Sequence, residues 1–194
     1  MMQHAPLFIV LLPVSAALLC MLFSRIQKNL GSWIVIGSIA AAFMSAVTVL
    51  QQVIADGGKP IHYWMGNWQP PLGIEFVIDP ISGVLAVLIT FISLLGSIYS
   101  LPFVKEEGWL HIGGYYTLYG LMTVGMCGMV ITGDVFNLYV FLEVMSLSGY
   151  GLIALGGKKS MLAAFRYLLI GTIGASLYLF GVGYMYALTG TLNM

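Results

Sequence analysis

Seven basic and seven acidic side chains carry all the formal side-chain charge of this 194-residue chain, and where they fall decides what it can fold into. They punctuate six apolar stretches of about 20 residues or more, at about 6–24, 31–54, 80–103, 111–132, 135–156 and 161–189. At a rise of about 1.5 Å per residue, some 20 helical residues cross a hydrocarbon core of roughly 30 Å. The spacing predicts an all-α membrane protein, a bundle of six transmembrane helices forming a single transmembrane domain over residues 1–194.

Composition agrees: 60% hydrophobic residues, 7% charged and a mean hydropathy of +0.98 lie far from the soluble range. The net charge is zero, so no basic field exists to hold nucleic acid, and that class of partner is dropped. Cys20 and Cys127 are far apart and each sits in an apolar run, which favours small packed side chains over a disulfide or a metal site. No glycine-rich phosphate loop, paired-histidine metal motif or nucleophile triad is present, so neither cofactor nor metal is expected, nor catalytic chemistry in this chain. Membership of an ion-translocating oxidoreductase stays open. The first stretch lacks the basic flank and cleavage site of a secretory signal and reads as a retained helix, with Pro13 as a kink point.

Cytoplasmic loops are enriched in Lys and Arg. Arg25, Lys28, Lys105, Lys158 and Lys159 fall on one side of the predicted bundle and Lys59 alone on the other, which places both ends outside, an N-out topology in the cell inner membrane. In the outer loop between the second and third crossings, His62, Tyr63, Trp64 and Trp68 suit the headgroup layer, and residues 73–79 alternate as a short strand would. Pro70 and Pro71 favour a turn between them, so a short outer-face hairpin is expected, with an irregular aromatic loop as the alternative. Small residues, among them Gly120, Gly125, Gly128, Gly171, Gly174, Ala175, Gly181 and Gly183, allow close helix packing. Tyr115, Tyr116, Tyr119, Tyr178, Tyr184 and Tyr186 read as belt and packing residues.

Glu143 is the one carboxylate inside a continuous apolar stretch. An acidic group at the bilayer centre costs roughly 2.5–3.5 kcal/mol on insertion scales, so a chain that keeps one usually needs it to move charge. It sits about 12 Å from the start of its helix and cannot reach either headgroup layer. Tyr139, Ser146 and Tyr150 share its helical face and offer hydroxyls. Its bland reading is a neutral, hydrogen-bonded tie between helices. Arg166 is the candidate counter-charge: the same geometry puts it about 9 Å inside the opposite surface, leaving an axial gap to Glu143 of about 9 Å, although its long stem also suits snorkelling. Pairing would favour the ionised carboxylate, with the guanidinium as a clamp because it hardly releases a proton. Asp134 reads as a helix cap, and His4, His62 and His111 as interfacial residues, His111 being placed to exchange protons with the cytoplasm.

The block from Gly133 to Ser146, the run Ala163-Ala164-Phe165-Arg166-Tyr167 and the close Leu188-Thr189-Gly190-Thr191-Leu192-Asn193-Met194 resemble the antiporter-like membrane subunits. That family is shared by Mrp-type monovalent cation/proton antiporters, membrane-bound hydrogenases and respiratory complex I, and the likeness is nearest to the Mrp D-type subunit. Residues 73–80 resemble the family's outer hairpin leading into its third helix. The resemblance implies that Glu143 matches the family's key glutamate, which acts in proton translocation with a basic residue on the next helix. Here that basic residue is Arg166, where the family more often has lysine. Family members carry further crossings in two inverted repeats, each with a broken helix, so this chain resembles an N-terminal portion or half of a split subunit.

The expected function is therefore proton or sodium/proton translocation within a multisubunit cation/proton antiporter. Its partners would be other hydrophobic subunits, protons, Na+ and the lipid bilayer. Two alternatives stand beside it: a proton-pumping membrane-arm subunit of a quinone oxidoreductase or hydrogenase complex, and a non-transporting structural subunit whose Glu–Arg pair fixes helix register.

Overall fold

The computed structural model describes residues 4–27, 29–68, 73–104 and 109–194. The chain runs α1 (Ala5–Ile26), α2 (Leu30–Ala55), β1 (Ile61–Trp64), β2 (Glu75–Ile78), α3 (Pro80–Tyr99), α4 (Leu101–Val104), α5 (Trp109–Ile131), α6 (Val135–Ala154) and α7 (Lys158–Thr189). Among the described residues six helices, all but the single-turn α4, are long and apolar enough to cross a bilayer. This is a multi-pass membrane protein, and helices are the form in which backbone groups can satisfy one another within lipid.

Two boundaries differ by more than two residues from the expected ones. The third crossing is not one helix to residue 103: α3 ends at Tyr99, capped by Ser100, and α4 starts at Leu101. Pro102 lacks an N–H and its ring conflicts with the carbonyl four residues back, so the ladder cannot continue through it. The sixth crossing begins earlier than expected, at Lys158, because Gly157 turns the chain with φ +101°, a left-handed conformation that suits glycine. Lys28, Lys105 and the Pro70-Pro71 turn lie outside the described residues.

Neighbours in the bundle are mostly neighbours in sequence: α1 packs on α2 and α5, α2 on α3, α5 on α6, and α6 on α7. The α5–α6 seam is close because α5 presents glycines. A methyl at Gly125 would stand 2.6 Å from the Met145 Cβ, and one at Gly128 would overlap the Phe141 ring. Helix α7 is outermost, and only Ala164, Ala175 and Val182 of its 32 residues are buried.

At one end of the bundle β1 and β2 pair antiparallel, Ile61 opposite Ile78 and Trp64 opposite Glu75. Strand alternation turns Phe76 and Ile78 into a core shared with Ile9, Val49, Val53 and Ile131, and leaves His62, Trp64 and Glu75 on the other face. Asp79 then starts α3: its carboxylate accepts from the Ser82 N–H at 2.7 Å while the Ser82 hydroxyl accepts from the Asp79 N–H at 2.8 Å. At the opposite end a second core gathers Cys20, Ile36, Ile39, Ile112 and Tyr116. There Tyr116 is fully buried and its hydroxyl reaches Ser100 Oγ at 3.0 Å, a packing role as expected.

Candidate functional site

Helix α6 is set in place at its N-terminus. Asp134 accepts from the Asn137 N–H at 2.6 Å, the capping role expected of it, and the Asn137 amide donates to Thr132 Oγ1 at 2.9 Å. The N–H of Val135, which has no partner within its own helix, donates to the carbonyl of Leu192 at 2.9 Å. Residues 191–194 thus return over the start of α6, and Asn193 forms a single bridge with Asp134.

Eight residues further on, about 12 Å along the axis, stands Glu143, half-buried. Phe141 and Met145 face α5. Tyr139 and Tyr150, which share the face of Glu143, point to α7: Tyr139 stacks on Tyr178 at 6.3 Å and Tyr150 meets Tyr167 edge-on at 4.7 Å. The carboxyl therefore lies along the α6–α7 groove, between two aromatic contacts. Opposite it α7 presents small residues, Gly171, Gly174 and Ala175, and a methyl placed on Gly174 would meet nothing.

Arg166 is not where the pairing scheme needs it. Helices α6 and α7 are neighbours, but α7 packs through Ala164, Tyr167, Gly171, Ala175 and Tyr178, a stripe at three- and four-residue spacing. Arg166 is five residues before Gly171, roughly 140° round the helix, and it is exposed. Among the described residues the one ion pair within 4.0 Å is His62–Glu75, so Glu143 and Arg166 do not touch. The helical phase separates them, and the two aromatic contacts put Glu143 level with about residue 174 and Arg166 roughly 12 Å further along the axis. Both tyrosines turn their rings against α7, and among the described residues no hydrogen bond joins Glu143 to Tyr139, Ser146 or Tyr150.

Reasoning from the sequence misses Glu75. It is only 7% exposed. Its Oε1 accepts from His62 Nδ1 at 2.7 Å and Trp64 Nε1 at 3.0 Å, and its Oε2 from Asn193 Nδ2 at 3.0 Å. Three donors converge on one buried carboxylate, one of them 118 positions away in the chain. The available signal is an acidic residue in the middle of an alternating strand.

Over residues 132–194 the chain matches the family described as NADH:quinone oxidoreductase/Mrp antiporter, TM. The match begins at Thr132 and takes in α6 with Glu143 and α7 with Arg166. This chain is a homologue of the antiporter-like membrane subunits. Aligned over all its 194 residues it is 43% identical to NADH-quinone oxidoreductase subunit N of Desulforudis audaxviator. It is 30% identical to the D-type subunit of the Na(+)/H(+) antiporter of Alkalihalophilus pseudofirmus, again along its full length. In each case it spans 38% of the relative, so it corresponds to less than half of such a protein. Among solved structures it resembles a chain of the membrane-bound sulfane sulfur reductase, an archaeal respiratory membrane complex, with a TM-score of 0.90 and 32% identity over 98% of this chain and 38% of that one. The antiporter-like relatives of this chain thus come from both cation/proton antiporters and respiratory complexes.

Proposed function

We propose that this chain forms part of a proton- or sodium/proton-translocating subunit of a multisubunit membrane complex, with Glu143 as the group that takes up and releases the proton. One observation carries the reading: the carboxyl of Glu143 lies midway along a membrane-spanning helix, half-buried, with no ion-pair partner among the described residues. An acidic group held midway along a membrane span costs roughly 2.5–3.5 kcal/mol on insertion scales, so a chain that keeps one usually uses it to move charge.

Arg166 acts in this scheme as a fixed positive charge felt across α7. For two charges on the order of 15 Å apart in an effective dielectric of about 20, the interaction is about 1 kcal/mol, enough to bias a proton affinity about fivefold. Protonation of Glu143 removes that attraction, and the changed field alters the affinity of neighbouring sites for protons or Na+. The exposed face of α7 that carries Arg166 is where the neighbouring hydrophobic elements of the complex would sit. The excess of basic residues at the end opposite the sheet supports the N-out orientation in the inner membrane, with the β1–β2 pair on the outer face.

A second reading makes the complex a redox-driven pump in place of a dedicated antiporter. The 43% identity to a quinone oxidoreductase subunit and the likeness to a respiratory complex favour it. Copurification separates the two: flavin or iron–sulfur subunits indicate the pump, and small hydrophobic subunits alone indicate the antiporter. The shared claim is tested by Glu143→Gln in vesicles containing the assembled complex. Loss of proton-coupled transport with assembly intact is expected, and transport at the normal rate would overturn the proposal.

A further inference from the structure

One carboxylate ties the sheet to the end of the chain and, through it, to the helix that carries Glu143. Glu75 holds His62 and Trp64 of β1 with one oxygen and Asn193 with the other. Asn193 belongs to the segment laid on the start of α6, where Leu192 accepts from the Val135 N–H and the Met194 N–H donates to Gly133 at 3.0 Å. The backbone carbonyl of Glu75 also accepts from the Gly133 N–H at 2.9 Å. The two strands, the α5–α6 linker and the segment after α7 therefore meet at this residue.

We propose that His62 and Glu75 form a proton-responsive latch that positions the N-terminal end of α6, His62 being the group that takes the proton. The inference rests on the functional reading above, in which α6 carries the translocated proton. An ionised carboxylate only accepts, so the His62 Nδ1 facing Glu75 carries a hydrogen, and a second proton goes to Nε2. The His62 side chain is half-exposed and opens onto a pocket of about 700 Å³ whose walls include His4, Gln52, Asp56 and Trp64. Solvent protons thus reach the imidazole while its carboxylate partner stays buried. Imidazole is the side chain that ordinarily changes charge between pH 5 and 8.

The charged and titratable groups around it fix the sign. Facing His62 are Glu75 from β2 and Asp56 from the end of α2, with His4 at the start of α1 held by the Tyr63 hydroxyl at 2.9 Å. Lys59 stands exposed in the turn before β1, and Asp134 lies on the far side of Asn193. The surroundings are thus rich in acidic groups, and a proton on His62 turns its hydrogen bond to the Glu75 carboxylate into an ion pair. Acid tightens the latch. Loss of the proton leaves the Glu75 charge uncompensated near that of Asp134.

The test is amide hydrogen exchange at Val135 and Met194 in the full-length subunit within its complex, at pH 8 and pH 5.5, corrected for intrinsic rates. Opening is expected to be about threefold rarer at pH 5.5, the scale of a half-exposed ion pair. Glu75→Gln keeps the shape of the group and removes its charge, and His62→Gln removes the proton acceptor. Each abolishes the pH step and flattens the dependence of transport on the pH of the sheet side. Glu143→Gln, by contrast, stops transport and leaves the pH step at Val135 and Met194 in place, which separates failure of the latch from failure of the functional reading. A step that persists in both latch variants, or that is missing from the wild type, overturns the proposal.

Discussion

Tyr139 of α6 stacks on Tyr178 of α7 with ring centroids 6.3 Å apart and planes only 8° from parallel. The contact lies one turn from Glu143, and the Tyr178 hydroxyl also donates to the Val135 carbonyl at 3.3 Å. Such a pair contributes about 0.5–1.5 kcal/mol beyond its area. Tyr178→Leu should lower the stability of the complex in detergent by about that amount, and Tyr178→Phe by less because the stack survives. Thermal unfolding of the two variants side by side checks the order.

Gly171 leaves no room for a side chain, because a methyl there would overlap the Tyr150 hydroxyl. Gly171→Ala should push α7 off α6 at that level and cost about 1–3 kcal/mol. Gly174→Ala one turn away meets open space and should cost little. Unfolding midpoints of the two variants are the check; equal effects would contradict the packing described.

Asp79 supplies a pH prediction outside the spans. The backbone N–H of Ser82, and then its side chain, hold the Asp79 carboxyl below the usual carboxylate range. With a folded value depressed below the unfolded one, its contribution to stability is present above the unfolded value and is lost as pH falls through the folded one. Asn caps a helix about as well as Asp but carries no charge. The stability difference between wild type and Asp79→Asn should therefore shrink on acidification below the ordinary carboxylate range, measured by denaturant unfolding across that window.

Because Glu143 and Arg166 do not touch, their substitutions should couple only through the long-range field. A double-mutant cycle of Glu143→Gln and Arg166→Leu should give a coupling of about 1 kcal/mol, the size of that charge interaction. A buried contact pair would give several times that. Arg166→Lys should keep transport and Arg166→Leu should weaken it, since the proposed role is charge alone, measured by ion exchange in vesicles.

Much of this architecture is legible in where the charges fall. The six spans, the strand-like alternation around Phe76, the cap at Asp134 and the small residues at the α5–α6 and α6–α7 seams follow from local rules that need no partner. Three features do not. Pro102 reads as the tail of an apolar run although its missing N–H ends a helix. Arg166 is placed in sequence by depth alone, and depth says nothing of helical phase, which depends on the stripe formed by Ala164, Gly171 and Ala175. Glu75 gains its meaning from Asn193, a contact no local pattern encodes. The resemblance to antiporter-like subunits points to the helix that matters, while the geometry around it comes from the fold.

The most direct test of the central claim compares Glu143→Asp and Glu143→Gln in the same vesicles, following proton-coupled cation exchange or redox-driven proton uptake. Aspartate keeps a titratable group one methylene shorter and should retain slow transport, whereas glutamine should retain none with the complex assembled. Transport by the glutamine variant at the wild-type rate would contradict the account.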